Sequence, residues 1–586
     1  MNRAAPLVTA AEMRAVEAQA ASYGDTSPVL MDRAARQIAT LLGGQLPRLP
    51  DRRPHVLVLA GPGNNGGDGL WAAQYLAREG VRVTCYLWHR QGSDDAALAA
   101  AQQAGATIQR VADDPVGETL AWSLREADVV VDALLGLGLE RDISGDGAVL
   151  IGRVQEAVRQ RAAAGMPLPV VAVDLPTGID SDSGRVRGSA LPASSTITLG
   201  FAKRGLYLWP GSAYAGTIIL GAIGVEHLTD ELTTTNTTAD QVRGLLPARP
   251  ADANKGTFGS VMIVAGSLNY IGAASLAALG AMRVGVGLAT LATPIDLLPI
   301  LAVKLTECTF QPLPSEMGVL SQRAVGPLFE ALAERSYQAL LIGNGLGKEK
   351  ETLAFMRGIF KDTAIPTPAA PRGSVGFGLR RGGDAARENV PNRSVGFGGR
   401  PITDGSKEPE AEVSREAATL PPLVIDADGL NLLAQVEGWT GRLPENTVLT
   451  PHPGEMVRLL GGDASIESVQ ADRVQTARQA AADWKAVVVL KGANTVIAAP
   501  DGRVQINPAA TPALATAGTG DVLAGVIAGL LAQGLTPFDA AVAGAYLHGH
   551  AGELVAEELG DAGVLAGDIA DALPYALRET KEPAAG

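Results

Sequence analysis

The segment GPGNNGGDG, residues 61–69, lies between an apolar run and a helical stretch. Small residues at such a turn let backbone N–H groups converge on an anion at a helix N-terminus, the form of a phosphate cradle. A bare glycine turn is weak evidence, but two Asn and one Asp in one loop exceed what a structural turn needs. Further along, Asp132 stands ahead of GLG, and DLPTG carries Asp174 and Thr177. Oxygen donors of this type suit a hard, weakly demanding cation or a sugar hydroxyl. Singly, each Asp is as readily a helix cap, so the weight rests on several strand ends carrying the set together.

A second group sits in the other half. AGTGDVLAG, residues 517–525, joins a small-residue turn to an apolar helix. The amides of Gly518 to Gly520 can surround a phosphoryl oxygen, with Asp521 beside them as a base for an attacking hydroxyl. KGANT, Lys491 to Thr495, follows the run VVVL, and its Lys, amides and Thr can hold nucleotide phosphates. His452 in TPHPGE stands between two prolines that present its imidazole rigidly. Alone it reads equally as a structural residue.

Repeated strand-and-helix units must position these groups. Thr9 and Glu12 have capping-box spacing and open a helix, and a second helical stretch covers residues 28–42. Then HVLVLAGPG (55–63), VRVTCYLW (81–88), ADVVVDALLG (127–136) and PVVAVDLPTG (169–178) alternate with helical segments. Such alternation predicts a parallel sheet covered on both faces, with ligands at the strand carboxyl ends. The pattern lapses in a Thr-rich stretch, placing a boundary near residue 235. A second series follows at 259–267, 338–347, 422–431, 446–455 and 485–495. The expected fold class is therefore α/β, with two three-layer αβα domains over 1–235 and 236–586. Residues 365–420, rich in Pro, Gly and mixed charge and containing SVGFG twice, read as an inserted surface loop.

With 586 residues the chain exceeds a single core. Its hydrophobic content of 46% against 19% charged residues excludes a disordered chain. A net charge of −14 opposes general attraction to nucleic acid or anionic membranes. Cys85 and Cys308 are the only cysteines and read as core thiols. Glu12, Arg14 and Glu17 interrupt any signal-peptide core, and the apolar run at 522–532 is too short to cross a bilayer. A cytoplasmic protein is expected, with neither nucleic-acid nor membrane partners.

Through PVLMDRAAR, GPGNNGGDG, DALLGLGLERD and VDLPTGID, residues 1–225 resemble the NAD(P)H-hydrate epimerase domain, a Rossmann-like fold. The resemblance implies that Asn64, Asn65, Gly66, Gly67 and Asp68, with Gly136, Leu137, Gly138, Leu139, Glu140, Arg141 and Asp142, hold the phosphates and ribose of a hydrated dinucleotide. Asp174 would face the nicotinamide ring as the catalytic group. Asn65, Asp132 and Thr177 would bind potassium, Thr177 standing where the family has Ser. From NKGTFGSVMIVAGS, YIGAASLAALGAMRVGVGLA and GNGLG together with the three motifs above, residues 240–575 outside the insertion resemble the ADP-dependent NAD(P)H-hydrate dehydratase, a ribokinase-like fold. Here Ala273, Gly345, His452 and Asp521 would meet the hydrate. Lys491, Gly492, Ala493, Asn494, Thr495 and Gly520 would meet the adenosine nucleotide, with Asp521 catalytic. This sequence has GNGLG where GPGLG is usual, and Val286 where Ala is common.

The resemblance thus implies a fused repair enzyme that epimerises the R and S hydrates of NADH and NADPH. It would dehydrate the S form at the expense of ADP and Mg²⁺, giving AMP and phosphate, and a homo-oligomer is expected. The competing readings are a ribokinase-like small-molecule kinase in the C-terminal half and a non-catalytic nucleotide- or RNA-binding N-terminal domain.

Overall fold

The computed structural model describes residues 5–90, 95–139, 141–229, 231–361 and 420–582. Glu140, the residues 365–419 of the expected insertion and both SVGFG copies lie outside the described residues. The first helix, Ala10–Ser22, is closed as its sequence predicts. Thr9 Oγ1 accepts from the Glu12 N–H at 3.1 Å, and Glu12 Oε2 accepts from the Thr9 N–H at 2.7 Å. Next comes Ser27–Gly43, with Pro in its first turn, where a missing N–H costs nothing.

Seven strands form the first sheet. In space they run Thr107–Arg110, Arg82–Leu87, His55–Ala60, Val129–Ala133, Val170–Val173, Ser195–Leu199 and Thr217–Gly221, every pair parallel. His55–Ala60 and Val129–Ala133 are buried along their whole length, as near-continuous apolar runs between two helical layers should be. Chain direction through the sheet reverses between these two strands, and a crevice opens at their carboxyl ends. Both the 61–69 loop and the 134–139 loop leave from that point.

The second sheet has ten strands. Its parallel part runs Thr309–Leu313, Leu288–Pro294, Ser260–Val264, Ala339–Ile342, Leu423–Ile425, Thr447–Leu449 and Val487–Leu490. The antiparallel strands Val496–Ala498 and Val504–Ile506 extend it, and Thr234–Asn236 adds parallel to the last. Its reversal lies between Ser260–Val264 and Ala339–Ile342, and the Gly343–Gly347 turn leaves there. The Thr-rich stretch read as a lapse thus already contributes an edge strand to this sheet. Cys85 and Cys308 are free and buried, as expected, and among the described residues no helix is long and apolar enough to cross a membrane.

The helix Thr519–Ala532 is apolar on nearly every side because it is packed on nearly every side. Against it lies Ile271–Arg283. The two approach closely enough that a Cβ on Gly525 would meet the Ala277 carbonyl oxygen at 2.0 Å, and one on Gly280 would meet the Val522 carbonyl oxygen at 2.3 Å. This contact fixes the start of Thr519–Ala532, and hence Asp521, relative to the sheet. Gly525→Ala forces the helices apart and is expected to destabilise the protein by about 2 kcal/mol, read as a lower thermal midpoint. An unchanged midpoint would contradict the close packing.

Candidate functional site

The N-terminal crevice is a cleft of about 830 Å³. The helix Asn64–Arg78 begins at its rim with Gly63 as N-cap and no side-chain cap, leaving its first amides open to an anion. Asn64, Asn65 and Asp68 line the cleft, as do Gly136, Leu137 and Gly138. Gly66 and Gly67 do not. A Cβ on Gly66 would meet the Gly61 carbonyl oxygen at 2.1 Å, so that glycine lets the helix approach its own loop. Arg90 braces the loop by donating to the Gly61 and Gly63 carbonyls, each at 2.9 Å. Leu139 packs toward an apolar cluster, and Arg141 and Asp142 are exposed away from the lining. Of the described residues in the 136–142 segment, the first three line the cleft.

Asp174 sits at the end of Val170–Val173 with φ 66°, a conformation that non-glycine residues adopt at a cost. Its carboxylate accepts from the Lys203 ammonium and from the Leu199 N–H at 3.1 Å. The Lys203 side chain is only 1% exposed. Asp68, Asp174, Lys203 and Glu17 all line the cleft. Burial, reinforced by the Asp174 and Glu17 charges, pushes the Asp68 carboxyl up to about 7. Burial likewise raises Glu17.

Asp132 lies beneath this floor, fully buried. It accepts from the Thr177 hydroxyl at 2.6 Å, the Thr177 N–H at 2.8 Å and the Leu134 N–H at 3.3 Å. None of these partners is a cation, and burial pushes the carboxyl up to about 6. Asn65 Oδ1 faces Gly136, where an added Cβ would stand 3.2 Å from it, while Asn65 Nδ2 is buried without a partner among the described residues.

The C-terminal crevice carries a chain of charges. Lys491 Nζ donates to Asp426 Oδ1 at 2.6 Å and stands 3.8 Å from Glu455 Oε2. Asn344 Nδ2 donates both to Asp426 Oδ2 at 3.0 Å and to Asp521 Oδ1 at 2.7 Å. Thr450 Oγ1 donates to Asp426 Oδ1 at 2.7 Å. Burial, then the Asp426 charge, pushes Asp521 up to about 6, against the lowering effect of the Asn344 bond. Glu455 rises to about 7 through burial. Burial disfavours the Lys491 charge, but Asp426 and Glu455 outweigh it and the ammonium is held above its usual range.

His452 caps the helix Pro453–Leu460: its Nδ1 accepts from the Gly454 N–H at 3.0 Å and the Glu455 N–H at 3.4 Å. That uses the lone pair a proton would need, and burial beside Lys491 lowers the imidazole to about 4. Ala273 and Gly345 face each other, a Cβ on Gly345 lying 2.8 Å from that of Ala273.

A separate cavity of about 390 Å³ is lined by Lys491, Gly492, Ala493, Thr495 and Gly520. A Cβ on Gly520 would stand 3.5 Å from Lys491 Nζ, so the ammonium sits beside the open start of Thr519–Ala532. Asn494 is the exception among the expected nucleotide residues. It is buried outside the lining, donating to the Pro508 carbonyl at 3.0 Å.

The family model described as NAD(P)H-hydrate dehydratase matches residues 261–364 and 406–575, and that of the YjeF-related protein N-terminus matches 27–205. The chain is 37% identical to the bifunctional NAD(P)H-hydrate repair enzyme Nnr of Moorella thermoacetica, covering 98% of this chain and 97% of that one. The chain belongs to the family of bifunctional NAD(P)H-hydrate repair enzymes. Identity to the family member of Thermofilum pendens is 34%, over 97% of this chain and 96% of that one. A solved structure of the ADP/ATP-dependent NAD(P)H-hydrate dehydratase of Bacillus subtilis is 28% identical, with a TM-score of 0.42, covering 58% of this chain and 97% of that one.

Lys203, Glu17, Asp426 and Asn344 are site residues that the motifs did not single out. Lys203 stands in an ordinary-looking FAKRG, and Asn344 entered only as a departure from GPGLG. Asp426 had the one available signal, an acidic residue at the end of a buried strand. Asn344→Ala removes the bond that holds the Asp521 carboxyl down and is expected to raise its titration midpoint above about 6, followed by carbon-13 NMR. A midpoint unchanged or lowered would contradict the assignment.

Proposed function

We propose that the chain repairs hydrated NADH and NADPH in two steps, epimerising the R and S hydrates in the N-terminal crevice and dehydrating the S hydrate in the C-terminal one. Family membership over nearly the whole chain supports both activities. What carries the division of labour is what surrounds each acid: Asp68 is buried in a cleft lined by Asp174 and Glu17, whereas Asp521 accepts from Asn344 Nδ2 at 2.7 Å and stands within reach of the Lys491 charge. Neighbouring negative charge favours a proton on the first, to give, and neighbouring donors favour a carboxylate on the second, to take one.

In the N-terminal crevice, the amides at Gly63 and Asn64 hold dinucleotide phosphate, and Gly136 to Gly138 form the opposite wall. Neutral Asp68 protonates the hydroxyl on C6 of the hydrate. The C6–O bond breaks with the electrons going to oxygen, water leaves, and the ring nitrogen lone pair stabilises the cation at C6. Water then adds to the other face of C6 and returns a proton to Asp68. Asp174, fixed by Lys203, provides negative charge beside the cationic ring.

Potassium fits beneath this floor. Asp132 is a buried carboxylate with no cationic partner among its hydrogen-bond donors, Thr177 Oγ1 is bonded to it, and Asn65 Oδ1 lies against Gly136 on the loop that follows the Asp132 strand. Bound there, held by Asp132, Thr177 and Asn65, it would supply the missing positive charge.

In the C-terminal crevice, Lys491 and the amides of Gly518 to Gly520 hold the phosphates of ADP. Magnesium favours phosphate and water with one or two carboxylates. Among the described residues no three His, Cys, Asp or Glu side chains converge into a metal cage, so the donor set fits magnesium arriving on the nucleotide. It would neutralise phosphoryl charge there. Asp521 takes the proton of the C6 hydroxyl as that oxygen attacks the terminal phosphorus, and AMP leaves. The C6–O bond then breaks, phosphate departs, and loss of a C5 proton to solvent restores the reduced ring.

Asp521→Asn is expected to lower dehydration of S hydrate with ADP by at least about a hundredfold while ADP binding, measured by calorimetry, persists; unchanged turnover would refute the base. Epimerisation is expected to fall as pH rises through about 7, because the acid form of Asp68 is lost. Asp68→Asn should slow the reaction by about a hundredfold or more and flatten that limb. A full rate with the same limb would contradict the acid.

A further inference from the structure

The cavity beside Lys491 has two characters. Its polar end is Lys491 and the start of Thr519–Ala532; much of the rest is apolar, including Ala509, Pro512 and Leu514. The N-terminal unit contributes one side chain to this lining, Trp209. That residue lies in the connection between the strands Ser195–Leu199 and Thr217–Gly221 of the other sheet, about 280 residues from the loop it meets.

The connection is tied to the cavity by a specific bond. Ser212 Oγ donates to Asn494 Oδ1 at 2.8 Å. Asn494 in turn donates through its backbone N–H to the Ala509 carbonyl at 3.1 Å and through Nδ2 to the Pro508 carbonyl at 3.0 Å. The segment carrying Trp209 is thus anchored to both loops that form the wall. Yet Trp209 is itself 54% exposed. A large indole held at a pocket rim and left half in water gains little for the fold.

The cavity also holds two buried polar atoms with no partner among the described residues. Asn507 donates through Nδ2 to the Ala545 carbonyl at 2.8 Å, leaving its Oδ1 without a donor, and His548 Nε2 has no partner either. Both residues line the pocket. Burial lowers His548 to about 4, so its ring is neutral. A flat base with π-faces and an exocyclic amine meets these needs: its face stacks on an indole, and its amine donates to a free amide oxygen.

We propose that Trp209 is a nucleotide-binding residue lent by the N-terminal unit, its indole stacking on the adenine of ADP bound by the C-terminal unit. The proposal rests on the reading of this cavity as the ADP site. The dehydratase pocket is then complete only when both units are present, and ADP is selected partly by a residue outside the dehydratase sequence.

The test uses full-length protein and three variants, with ADP affinity measured by calorimetry and steady-state kinetics of both reactions. Trp209→Ala is expected to weaken ADP about tenfold in Kd and KM, with dehydratase kcat at saturating ADP and the epimerase rate unchanged. Trp209→Phe should recover most of the affinity. Inorganic pyrophosphate, which has no base to stack, should bind Trp209→Ala and the natural chain alike. Ala510→Trp, which fills the cavity from an exposed wall position, should weaken ADP severely. Unchanged ADP affinity in Trp209→Ala with loss in Ala510→Trp overturns the stacking role alone. Unchanged affinity in both overturns the siting of ADP in this cavity.

Discussion

A carboxylate buried at the end of a parallel strand loses the water that would solvate its charge, and something in the protein must replace it. The chain meets this condition at Asp132, Asp174 and Asp426, and each time the compensation organises a site. Asp174 receives the Lys203 ammonium, and Asp426 receives Lys491. Removing one partner of such a pair typically costs about 3–5 kcal/mol, since the other charge remains buried. Asp132 receives a hydroxyl and two amides but no ammonium, the feature on which the proposed potassium site rests.

The same burial divides the chemistry. Asp68 gathers further negative charge from Asp174 and Glu17 and keeps its proton to about pH 7. Asp521 is relieved by Asn344 and Lys491 and releases its proton near 6. On the proposed reading, one residue type serves as an acid in one crevice and a base in the other, according to what stands beside it. Both sheets reverse direction at the point where these groups collect, so their similar topology places two different electrostatic environments at equivalent positions.

Much of this was legible locally. The Thr9 capping box, the apolar runs that became central strands and the glycine turns after His55–Ala60 and before Asp521 depend on neighbours a few residues apart. Such patterns survive in a single sequence. What escaped depends on distant pairs: Asn344 meets Asp521 across 177 residues, and Lys203 reaches Asp174 only because Ser195–Leu199, the strand just before Lys203, lies beside Val170–Val173. The first-unit strands Thr107–Arg110, Ser195–Leu199 and Thr217–Gly221 carry several Thr or polar residues and lack the long apolar signature of the central ones. Motif membership alone does not say which residues line the cleft: Asn64, Asn65 and Asp68 do, while Gly66, Gly67, Leu139, Arg141 and Asp142 of the same motifs do not.

The central claim is that two separate crevices act in turn on one hydrated cofactor. Its most direct measurement follows the return of reduced-cofactor absorbance when an equal mixture of R and S hydrate meets excess ADP and Mg²⁺, comparing the natural chain with Asp174→Ala. The account predicts complete recovery by the natural chain. The variant should rapidly recover only the S half, the remainder returning at the uncatalysed rate. Complete and equally fast recovery by the variant would contradict it.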